Sequence, residues 1–108
     1  MTASAQSVHQ KIPKAYRGTW KLKHASNFKI KKHSKLIVKS RYVKGPQPIG
    51  TFKGHKLGVH KGKKFVSFYL INKKGHQVSE STTMRLTHYK HKKALAVGVD
   101  VSTLYFTK

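Results

Sequence analysis

The sequence predicts a single all-β domain, built as a small antiparallel barrel or as a sandwich of about eight short strands. Apolar and polar residues alternate over short runs, as they do on strands with one buried face. Turn-forming residues separate these runs at intervals of about 8–12 residues. No window of helix length carries apolar residues at the i, i+3, i+4, i+7 spacing of an amphipathic helix. The chain has 108 residues, which is enough for one domain with a modest core.

The predicted organisation is a short lead-in followed by one domain. Residues 1–13 are small and polar, so we expect a mobile segment there and a single barrel domain over residues 14–108. The first two strands are predicted around Trp20 and around Phe28. The remaining predicted strands cover residues 35–43, 49–53, 56–60, 65–71, 77–89, 94–101 and 103–107.

The alternation also predicts the core. Residues 65–71 are apolar on both faces except for one serine, which is typical of a central strand. On the other strands one apolar face points inward, and lysines occupy the opposite face. The residues predicted to share the core are Trp20, Phe28, Ile30, Leu36, Val38, Phe68, Leu70, Leu86, Leu95, Val97, Leu104 and Phe106.

The charge balance is the most unusual property of the chain. It has 24 lysines and arginines against two acids, Glu80 and Asp100, for a net charge of +22. Two acids can neutralise only two of these cations, so the rest require solvent, counterions or an external anion. Three of the 24 are arginines, which leaves 21 lysines. Proteins that read a nucleic-acid sequence rely more on the arginine fork, so the excess of lysine favours sequence-independent attraction to a polyanion.

The lysines fall into three clusters that also contain histidines: the first within residues 29–35, the second within residues 53–64 and the third within residues 90–93. A single charged run is usually no more than a solvated face, but three runs without acids point to an anionic partner. The predicted polyanion-binding residues are Lys29, Lys31, Lys32, Lys35, Lys53, Lys56, Lys61, Lys63, Lys64, Lys90, Lys92 and Lys93.

Several other functions are not expected from the composition. The chain has no cysteine, which excludes disulfides and thiolate sites. Its eight histidines have no nearby carboxylates to complete a metal site, so neither a metal nor a cofactor is predicted. Acid–base and hydrolytic catalysis need a placed carboxylate or a nucleophile–base pair, so we predict no catalytic residues and no enzyme. No apolar run approaches the roughly 18 residues of a membrane span.

One short motif resembles a known family. Arg17-Gly18-Thr19-Trp20 resembles the G-x-W first strand of lipocalins and other calycins. The longer segment 12–20, followed by lysine-rich strands, is similar to small basic secreted proteins of lactobacilli. The resemblance implies an antiparallel barrel in which Trp20 lies at the closed end under a basic residue of the last strand, for which Lys108 is the only nearby candidate. The resemblance implies a secreted context and does not indicate any particular activity.

These observations favour a secreted or cell-surface domain that binds an anionic polymer or surface. Wall teichoic acid, anionic polysaccharide, lipid headgroups and extracellular nucleic acid would all satisfy the charge. Ala3-Ser4-Ala5 resembles a signal-peptide cleavage pattern, so we expect a removed signal peptide. One alternative is an intracellular RNA- or ribosome-associated protein. Another is a small carrier of an apolar ligand, with a narrow cavity lined by Trp20, Phe65, Phe68 and Tyr69.

Overall fold

The computed structural model describes residues 10–25, 33–46, 49–99 and 102–108. In this part of the chain there are nine strands and two short 3₁₀ turns, and there is no α-helix. One 3₁₀ turn, Lys14–Tyr16, precedes the first strand, and the other, Gly54–Lys56, joins the fourth strand to the fifth. The strands are β1 (Gly18–Ala25), β2 (Lys35–Lys39), β3 (Tyr42–Gly45), β4 (Gly50–Lys53), β5 (Leu57–Lys61), β6 (Val66–Leu70), β7 (Thr82–Tyr89), β8 (Lys92–Val99) and β9 (Ser102–Thr107).

The strands form one antiparallel sheet that curls into a nearly closed barrel. Its order is β4-β3-β2-β1-β9-β8-β7-β6-β5, so β1 pairs with both β2 and β9. Every other strand pairs with its sequence neighbours, except that β4 and β5 lie at the two edges of the sheet. The predicted all-β antiparallel barrel is therefore confirmed. The edge strands β4 and β5 are not paired with each other, and we call the gap between them the seam of the barrel. The connection between β4 and β5 crosses this seam.

Arg41 ties this seam together. Its guanidinium donates three hydrogen bonds to backbone carbonyls: Nη1 to Gln10 (2.9 Å), and Nη2 to Gly54 (2.9 Å) and Leu57 (2.6 Å). The backbone of Arg41 accepts a further bond from the amide of Gly54 at 3.2 Å. Partial burial lowers the pKa of this guanidinium by desolvation. The side chain therefore links the lead-in, the β2–β3 turn and the start of β5.

The core lies inside the barrel and matches most of the predicted residues. The core cluster contains the predicted residues Trp20, Leu36, Val38, Phe68, Leu95, Val97, Leu104 and Phe106, and the partly buried Leu70 and Leu86 pack against it. The period of two explains this agreement, because a shift of one residue would turn lysines inward. Phe28 and Ile30, and with them the predicted second strand, lie outside the described residues.

Two predicted strands were wrong in their extent. Residues 35–43 do not form one strand: the chain turns at Ser40 and Arg41, and β2 and β3 form a hairpin. This turn contains none of the Gly, Pro, Asn or Asp residues that signal a turn in sequence. Residues 77–89 form a strand only from Thr82. Before it, Gln77 makes an isolated bridge to Ile71.

Part of the predicted lead-in packs against the barrel. Ile12 is 0% exposed and belongs to the core cluster, and its amide donates to the carbonyl of Ser40 at 2.9 Å. Tyr16 is also buried, and its carbonyl accepts a hydrogen bond from Nε1 of Trp20 at 2.9 Å. Residues 1–9 lie outside the described part of the chain, and the division of the chain at residue 13 stays a prediction.

Candidate anion-binding site

The G-x-W segment places Trp20 under a lysine from the end of the chain. Nζ of Lys108 lies 4.8 Å from the centroid of the Trp20 ring, within the range of a cation–π contact. Gly18 has a φ of 133°, and a Cβ built there would lie 3.0 Å from Cε of Lys108. A side chain at position 18 would therefore strain the backbone and press on the lysine that covers Trp20. The family resemblance itself stays a prediction.

The lysines predicted to bind polyanions are exposed wherever the structure describes them. Lys29, Lys31 and Lys32 lie outside the described residues. The exposed members are Lys35, Lys53, Lys56, Lys61, Lys63, Lys64, Lys90, Lys92 and Lys93.

The second sequence cluster is divided by β5. Lys56 ends the 3₁₀ turn just before β5. Its carbonyl accepts a bond from the amide of Ile71, and it shares a surface depression with Lys73. Lys61 ends β5, and Lys63 and Lys64 follow in the next turn. At about 3.3 Å per residue, the two halves lie roughly 16 Å apart. The lysines of this cluster therefore lie in two separate regions of the surface.

The ends of the first and third clusters meet at one pocket of about 300 Å³. His33 contributes from the first cluster, and Lys90 and Lys92 contribute from the third. Lys23 joins them from a β-bulge, where the register between β1 and β9 shifts between Leu22 and His24. A bulge can redirect one side chain out of the regular alternation, and sequence inspection did not identify Lys23. The described residues that line it are Leu22, Lys23, His33, Tyr89, Lys90, Lys92 and Thr107.

Three aromatic rings from β7, β9 and β1 lie together on the outer face of the sheet. The ring of Tyr89, at the end of β7, stacks on Tyr105 of β9 with centroids 5.5 Å apart. The same ring lies 6.3 Å from that of His24 on β1. Between them, β8 presents only Ala94 and Ala96 to this face, and both are buried. Small side chains on β8 therefore leave room for the tyrosines, which support the wall of the pocket.

The turn of this hairpin has an unusual backbone. Lys90 and His91 have φ values of 50° and 69°, the pattern of a two-residue type I′ turn, which normally contains Asn and Gly. His33, on the other side of the pocket, has a φ of 68°. In the described ranges these are the only non-glycine residues with positive φ. All three line the pocket or adjoin a residue that does.

Thr107 is one of the lining residues of the pocket. It is 2% exposed, and its Oγ1 is buried without a hydrogen-bond partner among the described residues. Thr107 pairs with Lys21 on β1 and with Ala94 on β8, so it faces away from the barrel interior. Its burial comes from the residues that cover this face. Sequence alternation marks Thr107 only as an outward residue and cannot reveal this.

The four residues proposed to line an apolar cavity are not brought together. Trp20 and Phe68 belong to the core inside the barrel. Tyr69 alternates with Phe68 and so points outward, opposite Gly58 on β5. Burial raises the pKa of its phenol by desolvation. Phe65 lies in the β5–β6 turn, where its ring fills the space beside Gly62.

No cluster of three or more residues that could hold a metal ion occurs in the described segments. Of the two acids, Glu80 is exposed beside the Gln77 bridge, and Asp100 is outside the described residues. Within the ranges described, no helix is long and apolar enough to cross a membrane. The predictions of no catalytic residue and no cofactor stay predictions.

Comparison of the chain with protein-family models, with curated proteins and with solved structures gave no match.

Proposed function

We propose that this protein is a non-enzymatic, basic β-barrel, secreted or held at the cell surface, that binds anionic polymers or anionic surfaces. The observation that supports this best is the imbalance of charge: 24 cationic side chains face two acids. Every described lysine of the three clusters is exposed. Because these ammonium groups repel one another, a polyanion that binds them relieves repulsion that the chain cannot relieve itself.

The character of the cations indicates what kind of contact they make. Lysine ammonium groups act as mobile point charges, whereas sequence readout relies on fixed, bidentate donors. Only the ends of the first and third clusters meet, and the lysines of the second lie on both sides of β5. We therefore expect loose binding to a charged polymer or surface, of which wall teichoic acid is one candidate. Anionic polysaccharide, lipid headgroups and extracellular nucleic acid present similar charges.

The test is the salt dependence of binding. Contacts between lysines and phosphates release counterions, so the logarithm of the association constant should fall linearly with the logarithm of salt concentration, by roughly 0.7–0.9 per phosphate contacted. Titrations of teichoic acid, mixed-sequence DNA and a neutral glycan at several salt concentrations measure this slope. We expect steep slopes for both polyanions and no binding of the neutral glycan. Tight, salt-insensitive binding of the neutral glycan would overturn the proposal.

Matched variants separate charge from shape. Replacing Lys61, Lys63 and Lys64 together with glutamine should weaken polyanion binding and lower the slope by about 1 for each phosphate that the variant no longer neutralises. Replacing the same three residues with arginine keeps the charge and should leave binding near that of the wild type. If the glutamine and arginine variants bind alike, charge does not drive the association.

The proposed location has its own test. Mass spectrometry of the protein recovered from the producing cells should find it in the medium or cell wall, with a processed N-terminus near the Ala3-Ser4-Ala5 segment. Recovery with ribosomes or cellular RNA, in high salt as well as low, would favour the intracellular alternative instead.

A further inference from the structure

We propose that the pocket between β1, β9 and the β7–β8 hairpin binds one phosphate group carried on a small hydroxylated carbon skeleton, such as a polyol phosphate. This deepens the proposed function and rests on it for the nature of the polymer. The pocket itself is inferred from separate observations and can be tested with a small ligand.

The hydroxyl of Thr107 is the first of these observations. Buried polar groups are nearly always hydrogen-bonded, because leaving one unpaired costs free energy. Thr107 is 98% buried (2% exposed), and its Oγ1 has no partner in the described part of the chain. The residue also lines the pocket. Oγ1 is closed to solvent in this conformation, so a bound oxyanion would accept its hydrogen bond after the Thr107 side chain rotates toward the pocket, which would remove the cost.

The charge of the lining gives the sign of the ligand. Lys23, Lys90 and Lys92 border the same space as His33 and Thr107, and no carboxylate occurs among the described lining residues. Compact ammonium groups suit a phosphate, whose several oxygens accept bonds from several directions. Placing three lysines around one small space is unfavourable without an anion between them.

The backbone strain and the size of the pocket agree with a discrete small ligand. Lys90 and His33 both line the pocket with positive φ, a conformation that is unfavourable for residues other than glycine and is typical of functional sites. The volume of about 300 Å³ is at the lower end of the range for ligand sites. It accommodates a phosphate with a short polyol rather than a large organic molecule.

The experiment is an NMR titration with two probes, inorganic phosphate and glycerol phosphate, at an ionic strength held constant with sodium chloride. We expect saturable, single-site binding, with the largest amide shifts at Thr107, Lys90, Lys92 and His33. Glycerol phosphate should bind at least as tightly as inorganic phosphate. Shifts spread evenly over lysines throughout the chain, without saturation, would overturn the pocket.

Two pairs of variants give matched controls. Thr107→Val replaces the hydroxyl with a methyl group and should weaken the binding of both probes at least tenfold. Its control is Ser102→Ala, because Oγ of Ser102 is also buried and unpartnered, yet Ser102 does not line this pocket. Lys92→Gln should weaken binding, whereas Lys63→Gln removes the same charge from the β5–β6 turn and should leave it unchanged. Equal effects within either pair would overturn the assignment.

Thermal unfolding distinguishes a variant that has lost the binding site from one that folds poorly. A ligand that binds the native state raises its melting temperature, so phosphate should stabilise the wild type but not Thr107→Val at the same ionic strength. Without phosphate, Thr107→Val should melt at the same temperature as the wild type or higher, because it loses an unpaired buried hydroxyl. A marked loss of stability would show that the hydroxyl has a structural partner, and would overturn the proposal.

The failures of the two proposals can be told apart. If long polyanions bind with steep salt dependence but Thr107→Val and Lys92→Gln leave glycerol phosphate unaffected, the pocket is refuted and the proposed function stands. If glycerol phosphate saturates the pocket but long polymers do not bind, the pocket stands and the proposed function is refuted.

Discussion

Replacing Trp20 tests whether the end of the barrel is built as the structure indicates. Trp20 is 1% exposed, donates from Nε1 to the carbonyl of Tyr16 at 2.9 Å and lies under Lys108. Truncating a buried tryptophan to alanine costs about 3–5 kcal/mol. The lost hydrogen bond, worth about 1 kcal/mol, places Trp20→Ala at the upper end of that range. Because small domains are stable by only about 5–15 kcal/mol, the variant should be close to unfolding.

The contact with Lys108 can be measured separately by a double-mutant cycle. Lys108→Met keeps an unbranched side chain of similar length but removes the charge, and Trp20→Phe keeps a ring without the indole. We expect a coupling of about 0.5–1 kcal/mol between the two, as for exposed cation–π pairs. The cycle cancels the general relief of repulsion that follows the loss of one positive charge.

Urea unfolding followed by circular dichroism measures these free energies without depending on tryptophan fluorescence. Lys21→Ala is the control: Lys21 is exposed beside Trp20 on β1 and is paired across the sheet with Lys35. Like charges directly opposite are destabilising, so this variant should be neutral or slightly more stable. Equal losses for Trp20→Ala and Lys21→Ala, or a helical spectrum for the wild type, would refute the inward and outward assignment of β1.

Two further predictions concern the seam and the alkaline limit of stability. Arg41→Lys should cost about 2–3 kcal/mol in urea unfolding, because a lysine keeps the charge but cannot serve the three carbonyls of Gln10, Gly54 and Leu57 together; an unchanged midpoint would contradict the role of Arg41. Burial raises the pKa of Tyr69 above its ordinary value of 10.0, so its contribution to stability is complete below pH 10 and is lost as the pH rises through the folded pKa. The difference in stability between wild type and Tyr69→Phe should therefore shift against the wild type above pH 10, and a constant difference up to pH 12 would contradict this.

The sequence was sufficient for the barrel because its main determinant is local. Alternation over short runs assigns Leu36, Val38, Leu95 and Val97 to the interior, and the structure places them there. The β2–β3 turn escaped notice because Ser40 is only a weak turn signal and Arg41 is none. What stabilises that turn is distant in sequence: the bonds from Arg41 to Gly54 and Leu57.

The candidate pocket was less predictable, for a related reason. His33, Lys90 and Lys92 belong to charge clusters that are visible in sequence, but their meeting depends on the order of the strands in the sheet, and Lys23 joins them only through the bulge in β1. Thr107 resembles any outward threonine of a final strand. Its burial depends on the stacking of Tyr89 and Tyr105 across two small alanines, a contact between residues 16 positions apart.

The separation of charge from core explains how so basic a chain can fold, and also why the pocket stands out. Strand alternation puts apolar side chains inside the barrel and ammonium groups outside, where water and counterions screen their repulsion. At the pocket, cations border a small space next to a threonine hydroxyl that is shielded from water. Repulsion among these lysines and the unpaired hydroxyl both disfavour the pocket when no anion is bound. One bound oxyanion would relieve the repulsion and pair the hydroxyl, which is why we propose specific recognition at this pocket and general attraction on the rest of the surface.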